Sequence, residues 1–318
     1  FTPVSKEQSG YQNYAAWVLG ESFNIDELLQ AHLVSLLLLG NSASPLYKVL
    51  ESNDIGKSPA QILGLEDSMR HLMFICGIEG SDEKSQDKFI KLIDSTFKDI
   101  VKNGFSQDQI DAAFYQLELS RREISSGSLP YGLQVLLSLA PGALYKADPL
   151  ALSNVDEALK KLKEKIKEKT FLSQLINKYF IDNPHRVNLE MVPDMDLINN
   201  RENNFTKTLE KIKSSMSSKE KHQLVNDSKA LAERQEALPD KNLLPKLELS
   251  DVPNDSNYPK AKKLSTFGYS PVFYEEATNG LTYNTISRSL DLNSTNEIGD
   301  LMLLSNLLGK VGIQNCDY

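Results

Sequence analysis

Strand-like runs separated by helical pairs constrain this chain more than any other feature. YQNYAAWVL at 11–19 is dense in aromatic and apolar residues and reads as a strand. RHLMFICGI at 70–78 reads as a buried strand. HRVNLEMV at 185–192 alternates, with Val187, Leu189 and Met191 on one side, as a half-buried strand does. The order is β-αα-β-αα-β. It predicts an α+β fold, an antiparallel or mixed sheet with helix pairs on one face.

Local signals set the helix ends. Asn24 is an N-cap candidate, Asp26 and Glu27 suit the positive end of a helix dipole, and the helix runs through Leu39. Gly40 is expected to stop it in the left-handed conformation, and Ser44-Pro45 to start the next helix. In the helix spanning 84–102, Phe89, Leu92, Ile93, Thr96, Phe97 and Ile100 share one face. Asn103-Gly104 ends it, and Ser106 to Gln109 has capping-box form, starting a helix to about Ser125. GSLPYGL at 127–133 reads as a turn before a leucine-rich helix.

From about 194 the texture changes. Residues 194–250 are polar and helical in pattern, with a second capping box at Ser217 to Glu220, and read as a long helical hairpin. ELSDVPNDSNYP at 248–259 has linker composition, and 271–292 return to strand-like patterning with a tight Asn279-Gly280 turn. The expected division is an α+β domain at 1–193, a hairpin and linker at 194–258, and the truncated start of a further α+β unit at 259–318. A weak internal repeat supports it: Tyr14, Asn24 and Gly40 fall on Tyr283, Asn293 and Gly309 at one common offset. The chain starts at Phe1 and ends on NCDY, and reads as an excised piece whose last ~45 residues pack loosely or pair with another chain.

A net charge of −8 argues against a broad phosphate-binding surface, and no apolar run approaches the ~20 residues that span a bilayer. Neither nucleic acid nor membrane is an expected partner. Cys76 and Cys316 form no CxxC pair and indicate neither a disulfide framework nor a cysteine zinc site, so the chain is compatible with a reducing compartment. His32, His71, His185 and His222 are too far apart for HExxH or its inverse, and read as structural rather than metal-bound. The lysine run at 160–169 carries an apolar stripe and reads as a solvated helix face. Arg121 and Arg122, just before the 127–133 turn, fit either a substrate cleft or a surface ion pair. No complete active site is legible.

Four stretches together carry a resemblance: LLLLGNSASPLYKVLESNDIG (36–56), GIEGSDEKSQDKFIKLIDSTFKDIVKNGFSQDQIDAA (77–113), REISSGSLPYGL (122–133) and NPHRVNLEMVPD (183–194). The chain resembles the pitrilysin/insulinase-type zinc metallopeptidases, in the presequence-protease and falcilysin branch. The resemblance implies an enzyme of four similar α+β domains in two halves that close around unstructured peptides. The zinc and its general-base glutamate belong to a first domain that this chain lacks. What remains is similar to the second domain, the helical linker and the start of the third. The resemblance therefore implies zinc only in the parent enzyme, no catalytic or metal-binding residue here, and two partners: unstructured peptides and the missing domains of the same polypeptide. Arg121, Arg122, Leu129 and Tyr131 are the substrate-chamber candidates. The alternative is a catalytically silent relative that binds peptide without cutting it.

Overall fold

A computed structural model of the 318-residue chain describes residues 2–3, 10–124, 129–237, 246, 248–252, 259–263, 271–287, 289, 295–308 and 311. The chain divides into two compact units, one of 1–193 with 278–318 and one of 194–277. The stretch 278–318, read from sequence as part of a separate unit, thus groups with the first.

The first unit holds an antiparallel sheet of β1 (Tyr11–Glu21), β2 (Ser58–Pro59), β3 (Gly64–Glu66), β4 (His71–Ser81) and β5 (Arg186–Met191). β1 lies between β4 and β5; β2 and β3 pair with β4. β5 is therefore an edge. Trp17 sits opposite Phe74 on one side and Arg186 on the other.

Alternation along the strands gives the sheet two unlike faces. Ala15, Trp17, Phe74, Cys76 and Ile78 point to the helical side and are fully buried. They meet α1 (Ile25–Leu39), α3 (Gln86–Asn103) and α7 (Phe171–Ile176), whose last turn continues as a π-helical turn through Ile181. α2 (Pro45–Glu51), α4 (Gln107–Arg122) and α6 (Val155–Ile166) close the layer around this core. α5 (Tyr131–Leu144) and a 3-10 turn at Pro149–Ser153 meet a smaller cluster of Leu28, Ala31, Leu72 and Leu152.

Most of the local signals form as read. The Asn24 side chain accepts from the N–H groups of Asp26 and Glu27, and both capping boxes close. Gly104 is left-handed, with φ 73°. Phe89, Ile93, Thr96, Phe97 and Ile100 are buried on one face of α3. Gly40 departs from expectation: it stays right-handed, with φ −65°. The helix break is made one residue later, where the Asn41 carboxamide accepts from the Ala43 N–H and the Ser44 hydroxyl accepts from the Asn41 N–H. The second helical insertion departs too, since five helices rather than one pair separate β4 from β5.

In the second unit, α8 (Leu197–Ser215) and α9 (Ser218–Glu236) bury none of their residues. β6 (Ala261–Lys263) pairs antiparallel with β7 (Val272–Tyr274). Leu238-Pro239 and most of the 248–259 linker lie outside the described residues. In the first unit, Asn279 and Gly280 form the expected turn with φ 53° and 81°, but 281–287 take no strand. α10 (Thr295–Leu307) falls where the repeat projects α1, while Asn293 and Gly309 lie outside the described residues.

Candidate functional site on the open sheet face

The side of the sheet away from the helices is uncovered by the first unit and largely apolar. Gln12, Tyr14 and Ala16 of β1, Met73 and Ile75 of β4, and Val187, Leu189 and Met191 of β5 line a groove of about 430 Å³. Gln61, Ile62 and Glu79 complete its border. Val187 is 64% exposed and Leu189 51%. This corrects the reading of β5 as half-buried on its apolar side. The period-two pattern does mark one face, but that face looks out over the groove. The opposite side carries Arg186, whose guanidinium lies 4.8 Å from the Trp17 ring and 2.7 Å from Asp94.

The groove has a definite floor. Tyr14 stands between Gly77 on β4 and Leu189 on β5. A Cβ on Gly77 would come within 2.6 Å of the Tyr14 ring and of the Asn13 carbonyl, so glycine is what lets that ring lie across β4. Burial pushes the Tyr14 phenol above its ordinary pKa, and the neighbouring Glu79 carboxylate adds to the effect. Glu79 is held by the Ser58 hydroxyl at 3.3 Å. One acidic group thus borders a floor of Tyr, Ala, Met, Ile, Val and Leu side chains. Such a surface can take up apolar side chains of an extended chain, and it offers no nucleophile or proton relay.

None of the four sequence candidates lines this groove. The guanidinium of Arg122 is engaged by Glu118 and Asp156, each at 2.9 Å, so it serves an ion-pair network joining α4 to α6. Arg121 turns the other way: burial pulls its guanidinium below the ordinary value, and Asp67 opposes that shift. Asp67 also meets His32 at 2.9 Å, and the hydrogen bond holds its carboxyl below the usual range. Leu129 and Tyr131, at the start of α5, are 41% and 39% exposed. The structure therefore separates the two arginines. The groove residues were visible in the sequence only as alternation, with nothing to say which side faces out.

Zinc asks for three or more converging donors. His32 is engaged by Asp67, and His222 on α9 is bound to the Ser218 carbonyl at 2.8 Å. Among the described residues no three His, Cys, Asp or Glu side chains converge. Cys76 is fully buried, and burial pushes its thiol far up. These residues do not fit a zinc centre, and no catalytic step is assigned to them. No helix is long and apolar enough to cross a membrane among the described residues.

The profile of the region associated with M16 peptidases of subfamily C matches residues 191–318. The chain is 31% identical over 278 residues to Presequence protease 1, chloroplastic/mitochondrial, of Arabidopsis thaliana, covering 85% of this chain and 26% of that protein. It is 28% identical to Protein HypA of Clostridium perfringens, covering 99% of this chain and 33% of HypA. It is 25% identical to the mitochondrial presequence protease of Danio rerio, covering 95% of this chain and 29% of that protein. The chain thus spans about a quarter to a third of the length of these relatives. Among solved structures, the peptidase M16 inactive domain from Pseudomonas fluorescens aligns with a TM-score of 0.38 at 17% identity, over 61% of this chain and 42% of that one. A protease from Helicobacter pylori aligns with 0.41 at 13%, over 60% and 43%. Taken with the quoted sequence stretches, the similarity to presequence proteases along nearly the whole chain makes this a presequence-protease-like segment of the insulinase/pitrilysin type.

Proposed function

We propose that this chain is the central, non-catalytic portion of a zinc-dependent oligopeptidase that encloses and degrades short unstructured peptides. In this reading the 1–193 domain forms part of the chamber wall. Residues 194–258 link two halves, and 259–318 begin a further α+β unit. The observation that carries the reading is the open apolar groove, in a chain that resembles presequence proteases. An extended peptide lying on it would bury side chains against Ile75, Val187 and Leu189 at about 25 cal/mol per Å² of apolar surface. The zinc and its general base would come from another part of the polypeptide. Arg121, Leu129 and Tyr131 remain chamber candidates outside the groove, and Arg122 acts by holding α4 to α6.

The test is zinc content and cleavage of an unstructured peptide of ~20 residues, a length suited to an enclosed cavity. It is run on this chain alone and on the full-length product of the gene. The expected result is silence from the chain and zinc-dependent cleavage by the full-length product. Cleavage by the pure chain would overturn the non-catalytic assignment. A folded full-length product that binds peptide and never cuts it would establish the silent relative instead.

A further inference from the structure

α5 presents an apolar stripe that its own unit does not cover. The helix is anchored along one line. Leu139 packs against the Leu28, Ala31, Leu72 and Leu152 cluster, and Tyr145, just past the last turn, meets the Phe23 ring at 6.3 Å. Between them Gly142 is buried so closely that a Cβ would lie 2.7 Å from Pro149. At 100° per residue, positions 139, 142 and 145 centre on one side of the helix. Leu133, Leu136, Leu137 and Leu144 centre on the opposite side, about 180° away. They are 39%, 64%, 54% and 71% exposed.

A helix on a protein surface ordinarily turns polar residues outward, and α6 does so, pairing Lys161 with Glu157 on its exposed side. From Leu129 to Tyr145 the sequence contains no charged residue at all. A helix that is apolar all round is covered all round. Fourteen residues reach about 21 Å, short of the ~30 Å hydrocarbon core. A helix lying in a lipid interface carries a lysine- or arginine-rich outer face, which α5 lacks. The cover is therefore an apolar protein surface. Its source follows from the relatives, which are three to four times as long as this chain and so hold the extra surface in one polypeptide.

We propose that the Leu133–Leu136–Leu137–Leu144 stripe is a domain seam, closed by an apolar element of another part of the same polypeptide. This rests on the reading of the chain as one portion of a larger peptidase. It goes further by naming the surface that joins the portions.

Hydrogen exchange of α5 in this chain alone and in the full-length gene product tests the seam. The expected result is rapid exchange in the chain and ~100-fold slower exchange in the full-length product, as a covered helix gives. A Leu136→Lys, Leu137→Lys double variant should leave the melting temperature of the chain within ~2 °C and lower that of the full-length product by ~5 °C or more. Equal exchange in both proteins would overturn the seam. So would protection in the chain alone accompanied by dimerisation, which would assign the stripe to a second copy. The wild-type exchange comparison decides even where the variant does not fold. Peptidase activity of the full-length product is read separately, so absence of cleavage would count against the proposed function while leaving the seam measurement intact.

Discussion

The indole N–H of Trp17 donates to the carbonyl of Phe180 at 3.2 Å, and the two rings meet edge-on at 5.3 Å. One residue of the central strand is thereby fastened, by a hydrogen bond and a ring contact, to the π-helical turn that delivers β5. Phe180 also stacks on Phe97 at 4.4 Å, which brings α3 into the same knot. Beside it, Asn183 donates to the Val18 carbonyl, and Val18 donates to the His185 carbonyl. These contacts fix where the groove-lining edge strand begins.

Trp17→Phe keeps a ring in the knot and removes the donor, leaving a buried carbonyl without its partner. The cost should be about 1–3 kcal/mol. Trp17→Ala should cost about 3–5 kcal/mol, because a cavity is added to the loss. Urea unfolding monitored by circular dichroism measures both. Equal costs for the two variants would mean that the hydrogen bond, not the packing, dominates.

Gly77→Ala should destabilise the first unit by about 1–3 kcal/mol, since the new methyl meets the Tyr14 ring and the Asn13 carbonyl. Tyr14→Ala combined with it should recover only part of the loss, because the backbone clash persists. A double-mutant cycle on thermal unfolding reads the coupling. Full recovery would show that the ring alone demands glycine.

Leu189→Lys changes a half-exposed side chain on the groove floor. Stability should move by less than about 0.5 kcal/mol, as for most surface substitutions. Binding of an unstructured apolar peptide to the chain, read by fluorescence anisotropy, should weaken several-fold. An unchanged affinity would remove the groove from the peptide-binding surface.

Asp67 gives the acid limb of stability a definite sign. Its folded pKa lies below the ordinary 3.8, first through the His32 hydrogen bond. A carboxyl depressed in the folded state contributes stability above its unfolded pKa and loses it as pH falls through the folded value. Asp67→Asn should therefore be less stable than the parent at neutral pH, with the gap closing below about pH 3.8. Urea midpoints at several pH values check this; a gap that widens on acidification would contradict it.

Ser106→Ala opens a capping box that the structure closes at both ends, and should cost about 1 kcal/mol. The matched change at Ser217, on a helix that buries nothing, should shift helical content more than cooperative unfolding. Circular dichroism at 222 nm against temperature separates the two effects.

Sequence legibility followed the range of the interaction. Asn24, Ser106 and Gly104 act within four residues, so their roles were readable from neighbours alone. The buried face of α3 was readable from its period. Gly40 was misjudged because glycine permits a left-handed stop without requiring one, and the Asn41 carboxamide already turned the chain. β5 was misjudged because alternation identifies a face while sheet order decides what lies over it. That order rests on pairing with β1, which lies far away in sequence. Arg122 was left between two roles because its partner Asp156 comes from another helix. The α5 stripe was readable as leucine-rich, but only the anchored face of Leu139, Gly142 and Tyr145 distinguishes inner from outer leucines.

The span from Trp17 to Phe180 also has a meaning in time. Closing a contact across 163 positions costs chain entropy that local helices do not face. The helices between β4 and β5 can form on their own contacts before the edge strand finds β1. Non-local pairings of this kind slow folding, so the groove is expected to be the last part of the unit to assemble. A chain paused at that stage would carry its helices and core but present β1 as a raw edge. Refolding, more than equilibrium stability, is then where this sheet is exposed to mispairing.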